Sequence, residues 1–254
     1  MATGNTGYAV DRGIATITLD NPENRNALSK ALVDAVSTHL DSAAHDERVR
    51  AVVITHTGRT FCAGADLKEQ AAEGGPAEGT RRMLALLRQI VELPKPVIAR
   101  LDGHVRAGGI GVVGACDLAL AGPATTFAFT EVRLGLAPAI ISLATLPRMT
   151  ARAVSRYYLT GETFDAGVAA EIGLVTAAGD DVDAELHTVC DALRACSPQG
   201  LAETKPLTTA AARAAFDAGA DSMQALSQRL FESEEAREGI TAFLEKRSPR
   251  WATE

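Results

Sequence analysis

The sequence contains few aromatic residues, few cysteines and no long apolar run. Phe, Trp and Tyr together make up 4% of the 254 residues, so the hydrophobic core has to be built mainly from Ala, Val, Leu and Ile. The four cysteines, Cys62, Cys116, Cys190 and Cys196, have neither zinc-ligand nor CxxC spacing, which is typical of reduced thiols in a cytosolic protein. The five histidines also lack metal-ligand spacing, so we expect no metal site.

Other absences argue against whole classes of function. No apolar run approaches the roughly 20 residues of a membrane span, and the N-terminus does not resemble a signal peptide, so we expect a cytoplasmic protein. A net charge of −7 argues against nucleic acid or an anionic membrane as a partner, although it leaves room for a local basic pocket that binds a phosphorylated ligand. The usual GxSxG, P-loop and dinucleotide-binding fingerprints are absent.

Strand-like and helix-like segments alternate up to about residue 138. Strands are predicted at 13–20, 49–55, 96–101, 118–121 and 126–129, and helices after Ser29 and over 81–93. The segment 69–80, which contains Gly74, Gly75 and Pro76, is predicted to be a mobile loop. Later residues have helical patterns, at 139–149, 151–159, 165–172, 182–195, 200–215, 221–230 and 234–246. We therefore expect an α/β core over residues 1–196 and a helical C-terminal region over 197–254.

The most informative stretch runs from Asp102 to Asp117 and reads DGHVRAGGIGVVGACD. It follows a β-branched run and leads into small apolar residues, which predicts a strand, a tight glycine turn and a buried helix. Gly108 and Gly109 would let a ligand approach the backbone without meeting a Cβ atom. A helix that begins there would direct unpaired N–H groups and the positive end of its dipole at that ligand. The alternative is that these glycines serve only close packing.

Motifs along nearly the whole chain resemble the enoyl-CoA hydratase/isomerase (crotonase) superfamily. They are FCAGADL (61–67), KPVIA (95–99), DG (102–103), GG (108–109), ACD (115–117), the segment 127–138, LTGE (159–162), AAEIGL (169–174) and FLEKR (243–247). The resemblance implies an α/β, ClpP-like crotonase fold, in which repeated ββα units form a spiral and a helical C-terminal region builds trimers. It also implies an acyl-CoA thioester as substrate, no cofactor apart from that substrate's coenzyme A, and a homotrimer or a hexamer of two trimers.

The resemblance assigns the catalytic groups. Two backbone N–H groups, of Ala65 and Gly108, would stabilise the negative charge that develops on the thioester oxygen, and losing one such donor typically costs about 100-fold or more in rate. Glu131 would be the acid/base carboxylate, and its alternative is a solvated or salt-bridged surface group. Hydratases of the family usually carry another glutamate three residues after the glycine donor, but this position is Gly111 here.

Further substrate contacts follow from the same resemblance. For coenzyme A they are Ala63, Asp66 and Leu67 beside the adenine and pantetheine, and Arg25 and Lys68 at the phosphates. Phe243 and Lys246, three apart on one face of the last helix, would cover the adenine from a neighbouring subunit. For the acyl group they are Gly111, Ala139 and, against a distal carboxylate, Arg106 or more weakly Arg133. Ile110, Ile140 and Ile141 could instead line an apolar pocket, and each cation could be a solvated charge or part of a salt bridge.

One glutamate can both remove and deliver a proton if its pKa lies near the working pH, which burial would favour. This chemistry suits hydration of a 2-enoyl-CoA. The 131–142 segment, with Gly111 upstream, is similar to the single-glutamate methylglutaconyl-CoA hydratase-like group, which suggests 3-methylglutaconyl-CoA or another branched or bulky acyl-CoA as substrate. The alternatives are a Δ3,Δ2-enoyl-CoA isomerase that uses Glu131 alone and a non-catalytic acyl-CoA-binding protein. Cys62 is expected to be a buried thiol rather than a nucleophile.

Overall fold

The computed structural model describes residues 6–72 and 77–252. Residues 1–5, which belong to the N-terminal stretch in which no signal peptide is predicted, lie outside the described residues. Within this range the strands are β1 (Thr6–Asp11), β2 (Ile14–Leu19), β3 (Ala51–His56), β4 (Thr60–Cys62), β5 (Val97–Leu101), β6 (His104–Arg106), β7 (Leu118–Ala121), β8 (Thr126–Ala128), β9 (Phe164–Asp165) and β10 (Ala177–Ala178). They form a six-stranded sheet, β1-β2-β3-β5-β7-β10, and a four-stranded sheet, β4-β6-β8-β9.

The helices surround and join these sheets. They are α1 (Lys30–His45), α2 (Leu67–Ala72), α3 (Ala77–Glu92), α4 (Gly108–Ala115), α5 (Ala139–Thr145), α6 (Ala151–Thr160), α7 (Ala166–Glu171), α8 (Val182–Arg194), α9 (Pro198–Thr208), α10 (Ala210–Phe231) and α11 (Glu234–Leu244). Two short 3-10 helices cover Pro22–Asn24 and Thr130–Leu134. Of the helices in the described ranges, none combines the length and the apolarity that a bilayer-spanning helix needs.

The chain passes from the larger sheet to the smaller one and then returns through helices. This happens after β3, β5 and β7, which are each followed by a strand of the smaller sheet, and the larger sheet is parallel apart from the β1–β2 hairpin. Such a path is a repeated ββα unit, so the predicted spiral fold is confirmed. Strands β4 and β6 are parallel neighbours in the smaller sheet, so the turns that follow them lie side by side.

Helix α4 lies in the centre of the molecule because its sequence, GGIGVVGA, has no polar face. All of its residues except Gly108 are buried, and it packs against α3, α5, β4 and β6. Small residues allow this close packing. A Cβ atom added to Gly109 would lie 2.7 Å from the Cβ of Cys62, and one added to Gly114 would lie 2.7 Å from Cγ2 of Thr145. The glycine pattern therefore serves packing along α4 as well as the turn at its start.

Several boundaries differ from the sequence expectations. The predicted mobile loop at 69–80 is wrong over its described part, because α2 extends through Ala72 and α3 begins at Ala77, while Gly74, Gly75 and Pro76 lie outside the described residues. The helices predicted at 200–215 and 221–230 are instead α9 and a 22-residue α10. Gly219 lies inside α10, where the missing Cβ allows close packing of α5, since an added Cβ would lie 2.9 Å from Cδ2 of Leu143.

Strand β1 was not anticipated. It pairs with β2 in an antiparallel hairpin joined by Arg12 and Gly13, whose φ angles are 42° and 82°. Two consecutive positive φ angles are typical of the tight hairpin turn whose twist matches that of the strands. Glycine accommodates this geometry easily, whereas an arginine there gives little signal in the sequence.

A buried ion pair joins the C-terminal helices to the α/β core. Lys205 of α9 is 3% exposed, and its Nζ lies 2.8 Å from Oδ2 of Asp117, which follows α4. The ammonium also donates to the carbonyl oxygens of Ile90 and Lys95 at 2.9 Å each. Burial lowers the pKa of Lys205, and the charge of Asp117 opposes this effect. Phe216 of α10 belongs to the main hydrophobic core, so the C-terminal helices share this core with the α/β part. The division of the chain at 196/197 remains a prediction.

Replacing this lysine should destabilise the fold. Lys205→Met would leave the Asp117 carboxylate buried without its cation, and breaking a buried pair in this way typically costs about 3–5 kcal/mol. The free energy of unfolding, measured by urea denaturation at pH 7, should fall by that amount. Lys30→Met, at an exposed position, is the matched control and should change it by less than about 0.5 kcal/mol. Equal effects of the two substitutions would contradict the assigned role of the pair.

Candidate active site

A cavity of about 580 Å³ opens between the α/β core and the C-terminal helices. Its walls come from the 23–28 segment, the stretch after β4, the start of α3, the turn before α4, the segment 130–141, α10 and α11. The residues predicted as site residues that line it are Arg25, Ala63, Ala65, Asp66, Leu67, Lys68, Arg106, Gly108, Glu131, Ala139 and Phe243. Gly111 and Lys246 do not line it. The fold therefore brings together most of the residues that the sequence singled out.

Two backbone turns contact each other at the centre of this cavity. A Cβ atom on Gly64 would lie 2.8 Å from the Cβ of Ala107 and 3.4 Å from the nitrogen of Gly108. Gly64 also has a φ angle of +92°, which favours glycine. No larger residue fits at this position, because its side chain would separate the turn that carries Ala65 from the turn that carries Gly108.

Hydrogen bonds orient the peptide groups of both turns. The Gly64 carbonyl accepts from the N–H of Leu28 at 2.8 Å, and the Ala107 carbonyl accepts from the N–H of Ile110 at 2.8 Å. In a trans peptide the N–H points opposite to the carbonyl, so the N–H groups of Ala65 and Gly108 point away from these partners. Neither N–H has an acceptor among the described residues. Both are available to an oxygen atom in the cavity.

Ala107 has a strained backbone. Its φ and ψ angles are 45° and −119°, a combination that non-glycine residues rarely adopt and that costs on the order of 1–3 kcal/mol. Its N–H donates to the carbonyl of Ala128 at 3.3 Å, which ties the turn to β8. The strained conformation places the N–H of Gly108 at the first position of α4, where the helix dipole adds positive potential. This geometry stabilises an anion better than a relaxed turn would.

Glu131 lies in the 3-10 helix Thr130–Leu134 and lines the same cavity. The N–H groups of Leu136 and Gly135 donate to its carbonyl, which fixes its backbone. Its Oε2 atom is enclosed and has no hydrogen-bond partner among the described residues, although the residue as a whole is only half-buried because it borders the cavity. Burial raises the pKa of Glu131 to about 7. The enclosed Oε2 atom and the raised pKa show that Glu131 is not a solvated surface charge.

Tyr158 lies near this carboxyl group, since the charge of Glu131 affects its pKa. The ring of Phe129 lies 4.4 Å, centroid to centroid, from that of Tyr158. The Tyr158 hydroxyl contacts the Thr145 hydroxyl, which itself donates to the carbonyl of Ile141 at 2.8 Å. The phenol proton is thus directed at Thr145. Burial, and to a smaller extent the charge of Glu131, raises the pKa of Tyr158, which keeps it neutral.

The position of the missing glutamate is filled by apolar atoms. A Cβ atom on Gly111 would lie 2.5 Å from Cγ2 of Ile141 and 3.1 Å from Cε of Met83. The side chain of Ile141, in α5, therefore occupies the space into which a side chain at position 111 would project. Glycine here is a packing requirement, and a second carboxylate cannot be added without moving α5 or α3.

The mouth of the cavity carries two unpaired cations. Arg25 and Lys68 are exposed, and neither forms an ion pair with any described residue. Asp66, by contrast, has a structural role. Its Oδ1 accepts from the N–H groups of Lys68 and Glu69 at 3.1 Å, and its Oδ2 accepts from the side chain of Asn24 at 2.7 Å. Asp66 thereby fixes the start of α2 and leaves the lysine free to bind an anion.

The expectation for the last helix is wrong in one respect. Helix α11 ends at Leu244, so Lys246, with a φ angle of 56°, does not share a helix face with Phe243. Helix α11 packs on the 3-10 helix of Glu131, where a Cβ on Gly239 would lie 2.5 Å from the backbone of Leu134, and Phe243 lines the cavity of its own chain. The expected contact of Phe243 with the adenine in a neighbouring subunit remains a prediction.

Arg106 is half-buried and is held against β8. Its guanidinium donates to the carbonyls of Val105 and Thr126 at 2.9 and 2.6 Å and to the Thr126 hydroxyl at 3.0 Å, and burial lowers its pKa. Arg133 is exposed and approaches Gly161 of the α6 terminus, since a Cβ there would lie 3.1 Å from its Nε. The proposed contact of either arginine with an acyl carboxylate remains a prediction.

Cys62 does not have the environment of a nucleophile. It is fully buried, and burial raises its pKa to about 12. Its Sγ accepts only a weak hydrogen bond from the N–H of Gly64 at 3.4 Å. Over the described ranges there is also no cluster of three His, Cys, Asp or Glu side chains arranged to hold a metal ion. The chemistry of the cavity therefore depends on Glu131 and the two N–H groups.

The enoyl-CoA hydratase/isomerase family model matches residues 9–254. The chain belongs to the enoyl-CoA hydratase/isomerase family. Among solved structures, an enoyl-CoA hydratase from Mycobacterium avium shares 54% sequence identity and a TM-score of 0.92, with 98% of this chain and 99% of that chain covered. The 2,3-dehydroadipyl-CoA hydratase of Escherichia coli is 32% identical, with 93% of this chain and 94% of the relative covered. The mitochondrial methylglutaconyl-CoA hydratase of Rattus norvegicus is 29% identical, with 96% and 81% covered.

These similarities confirm the family and the fold expected from the motifs, and they support hydratase activity at the level of the family. Sequence reasoning did not identify every residue of the cavity, however. Thr80 and Ser227 line it but were not anticipated, and Met83 was predicted only as part of a buried helix face. The three-residue spacing of Thr80 and Met83 shows that they share a face of α3, but the sequence alone does not show what this face contacts.

The contact between Gly111 and Ile141 predicts a coupled pair of mutations. Gly111→Ala should lower the free energy of unfolding by about 1–3 kcal/mol, because the new Cβ overlaps Cγ2 of Ile141. Ile141→Ala should cost about 2–5 kcal/mol by leaving a cavity. The double mutant should lose less free energy of unfolding than the sum of the two single losses, because Ala at position 141 leaves room for the methyl group at position 111. Urea denaturation of all four proteins tests this coupling, and simple additivity would contradict it.

The buried carboxyl group predicts a pH-dependent effect on stability. The pKa of Glu131 is raised on folding from 4.5 to about 7, so its contribution is fully favourable below the unfolded pKa and is lost as the pH rises through 7. Ionisation in the fold then costs up to about 3 kcal/mol. Glu131→Gln cannot ionise, and it should therefore stabilise the protein more at pH 8 than at pH 5 in chemical denaturation. The exposed Glu47→Gln is the control. A gain that does not vary with pH would contradict the buried ionisation.

Proposed function

We propose that this chain is a 2-enoyl-CoA hydratase in which Glu131 is the only carboxyl group that acts on the reacting carbons. The observation that carries the proposal is the enclosed, unpartnered Oε2 of Glu131, with a pKa near 7, in a cavity that also contains the free N–H groups of Ala65 and Gly108. The other carboxylates among the described cavity-lining residues are Glu23, which is exposed, and Asp66, which caps α2.

The reaction needs one proton acceptor that can also return the proton. In the proposed mechanism Glu131 removes a proton from water, and the oxygen of that water forms a bond to C3 of the enoyl group. The π electrons move toward the thioester oxygen, where the N–H groups of Ala65 and Gly108 stabilise the negative charge. Glu131 then gives its proton to C2, which yields the 3-hydroxyacyl thioester. A pKa close to neutrality allows both transfers at physiological pH.

Isomerisation is the second candidate, and one observation favours it. The apolar wall formed by Ile141 and Met83 at Gly111 offers no second polar side chain to hold a water molecule. Moving a double bond from C3 to C2 requires only that Glu131 take a proton from C2 and return it to C4. The same N–H groups would stabilise the intermediate. We place hydration first because relatives of this chain carry the name hydratase.

We propose that the coenzyme A portion enters at the mouth, where Arg25 and Lys68 are free to bind phosphate groups. Phe243 and Leu244 of α11 would cover the pantetheine or adenine from within the same chain, since both line the cavity. Assembly into a trimer or hexamer, a cytoplasmic location and the 3-methylglutaconyl group as substrate remain predictions from the sequence.

Three thioesters distinguish the candidates. Purified protein is given crotonyl-CoA, 3-methylglutaconyl-CoA and a 3-enoyl-CoA, and the absorbance of the conjugated enoyl thioester is followed. Hydration lowers the absorbance with the first or second compound, and isomerisation raises it with the third. Glu131→Gln should reduce kcat by about 10²- to 10⁴-fold while binding of coenzyme A is retained. Below pH 7 kcat/KM of the wild type should fall about tenfold per pH unit, as the base becomes protonated.

The control is Glu47→Gln, the same chemical change at an exposed site, and it should keep wild-type activity. Unchanged turnover of the Glu131→Gln protein would remove this residue from the mechanism. Absence of any absorbance change with all three thioesters, together with retained coenzyme A binding, would favour a non-catalytic acyl-CoA-binding protein.

A further inference from the structure

Two buried hydroxyl groups line the cavity and have no role in the proposed chemistry. Thr80 of α3 is 5% exposed and Ser227 of α10 is 8% exposed, and both line the cavity. Neither hydroxyl has a hydrogen-bond partner among the described residues. Neither oxygen is among the enclosed unpartnered atoms of the described residues, so each keeps accessible surface, which we assign to the cavity wall.

Serine and threonine inside helices commonly satisfy their hydroxyl by donating to the carbonyl four residues earlier. Several residues of this chain do so. Examples are Thr38 with Asp34, Thr145 with Ile141 and Thr160 with Arg156. Ser227 departs from this habit, and Thr80, whose fourth preceding residue lies outside the described residues, has no hydroxyl partner among those that are described.

The helices that carry these hydroxyls pack against each other. Arg88 of α3 pairs with Asp217 of α10, whereas Thr80 and Ser227 both border the cavity. Lys205, just before α10, binds the carbonyl of Ile90 near the end of α3, so α3 and α10 run antiparallel. Thr80 and Ser227 therefore lie toward the same end of the helix pair.

Met83 connects this part of the cavity to the turn that carries Gly108. It lies three residues after Thr80, and its Cε lies 3.5 and 3.1 Å from the Cβ positions of Gly108 and Gly111. Three residues along a helix correspond to a rise of about 4.5 Å. An acyl chain that continues past Met83 along α3 would therefore reach the hydroxyls, whereas a short chain would end before them.

The lining residues next to the hydroxyls on their own helices are apolar. They are Met83 on α3 and Phe231 on α10. The lining cations in the described part of the chain are Arg25, Lys68, Arg106 and Arg133, and none of them lies on these two helices. An ionised carboxylate would therefore lose its hydration here without gaining a counter-ion from α3 or α10, whereas a neutral hydroxyl or carbonyl group would be satisfied.

We propose that Thr80 and Ser227 select acyl chains that carry a neutral hydrogen-bonding group, a hydroxyl or a carbonyl, a few carbon atoms beyond the double bond. The proposal rests on the enoyl-CoA hydratase activity proposed above and specifies its substrate class. A purely apolar chain leaves both hydroxyls unsatisfied in the complex. Sites with buried polar groups discriminate strongly against such analogues.

The test compares three 2-enoyl-CoA substrates of equal chain length, about six carbons, that end in a methyl, a hydroxyl or a carboxylate group. The wild type should have the highest kcat/KM for the hydroxyl-terminated chain, by about tenfold or more over the methyl-terminated one. Thr80→Val and Ser227→Ala should each remove much of this preference, because they lower kcat/KM for the hydroxyl-terminated chain and leave the methyl-terminated chain unchanged or improved. Ser222→Ala, on the exposed side of α10, is the matched control.

Two further measurements keep the result interpretable. Crotonyl-CoA is too short to reach the hydroxyls, so its turnover reports the proposed function alone and should be equal in all variants. Calorimetric binding of the saturated hydroxyl- and methyl-terminated acyl-CoAs tests the selection even if hydration fails. The proposal is overturned if the wild type binds and converts the methyl- or carboxylate-terminated chain at least as well, or if the two variants affect all chains equally.

Discussion

The contact between the Gly64 turn and the Ala107 turn is the constraint on which the rest of the site depends. The two turns follow neighbouring strands of the smaller sheet, and only the absence of a Cβ on Gly64 lets them approach this closely. The strained conformation of Ala107 is maintained by the sheet on one side and by α4 on the other. The fold thereby holds two N–H groups, which water would otherwise solvate, directed into a cavity. Preorganised donors of this kind need no rearrangement when negative charge develops, which is why they are effective in catalysis.

The packing around α4 determines the surroundings of position 111. Because α4 has no polar face, α5 and α3 can pack directly on it, and Ile141 and Met83 fill the space beside Gly111. Burial raises the pKa of Glu131 toward neutrality, and Tyr158 lies close enough for the charge of Glu131 to affect its pKa. Among the described residues, the cavity therefore has one enclosed carboxyl group and no space for a side chain at position 111.

The C-terminal helices complete the cavity rather than form a separate unit. Lys205 joins α9 to Asp117 and to the carbonyl of Ile90 near the C-terminal end of α3. Helix α10 contributes Ser227 and Phe231 to the cavity wall. Helix α11 packs on the short helix of Glu131 and brings Phe243 to the mouth. The wall of the cavity therefore comes from segments far apart in the sequence. Residues of the C-terminal helices can thereby border the same space as the turns of the α/β core.

Local sequence patterns determined the strands, the glycine turn, the buried central helix and, through motif order, the family. These features depend on short-range periodicity, on the conformational freedom of glycine and on the absence of polar side chains in α4, all of which are visible in the residues themselves. Only the tertiary structure decided that Phe243 lines the cavity of its own chain, that Ile141 fills the space at Gly111 and that Thr80 and Ser227 line the same cavity. Those outcomes depend on contacts between residues far apart in the chain, where burial and the direction of a side chain are set by whichever neighbour the fold supplies.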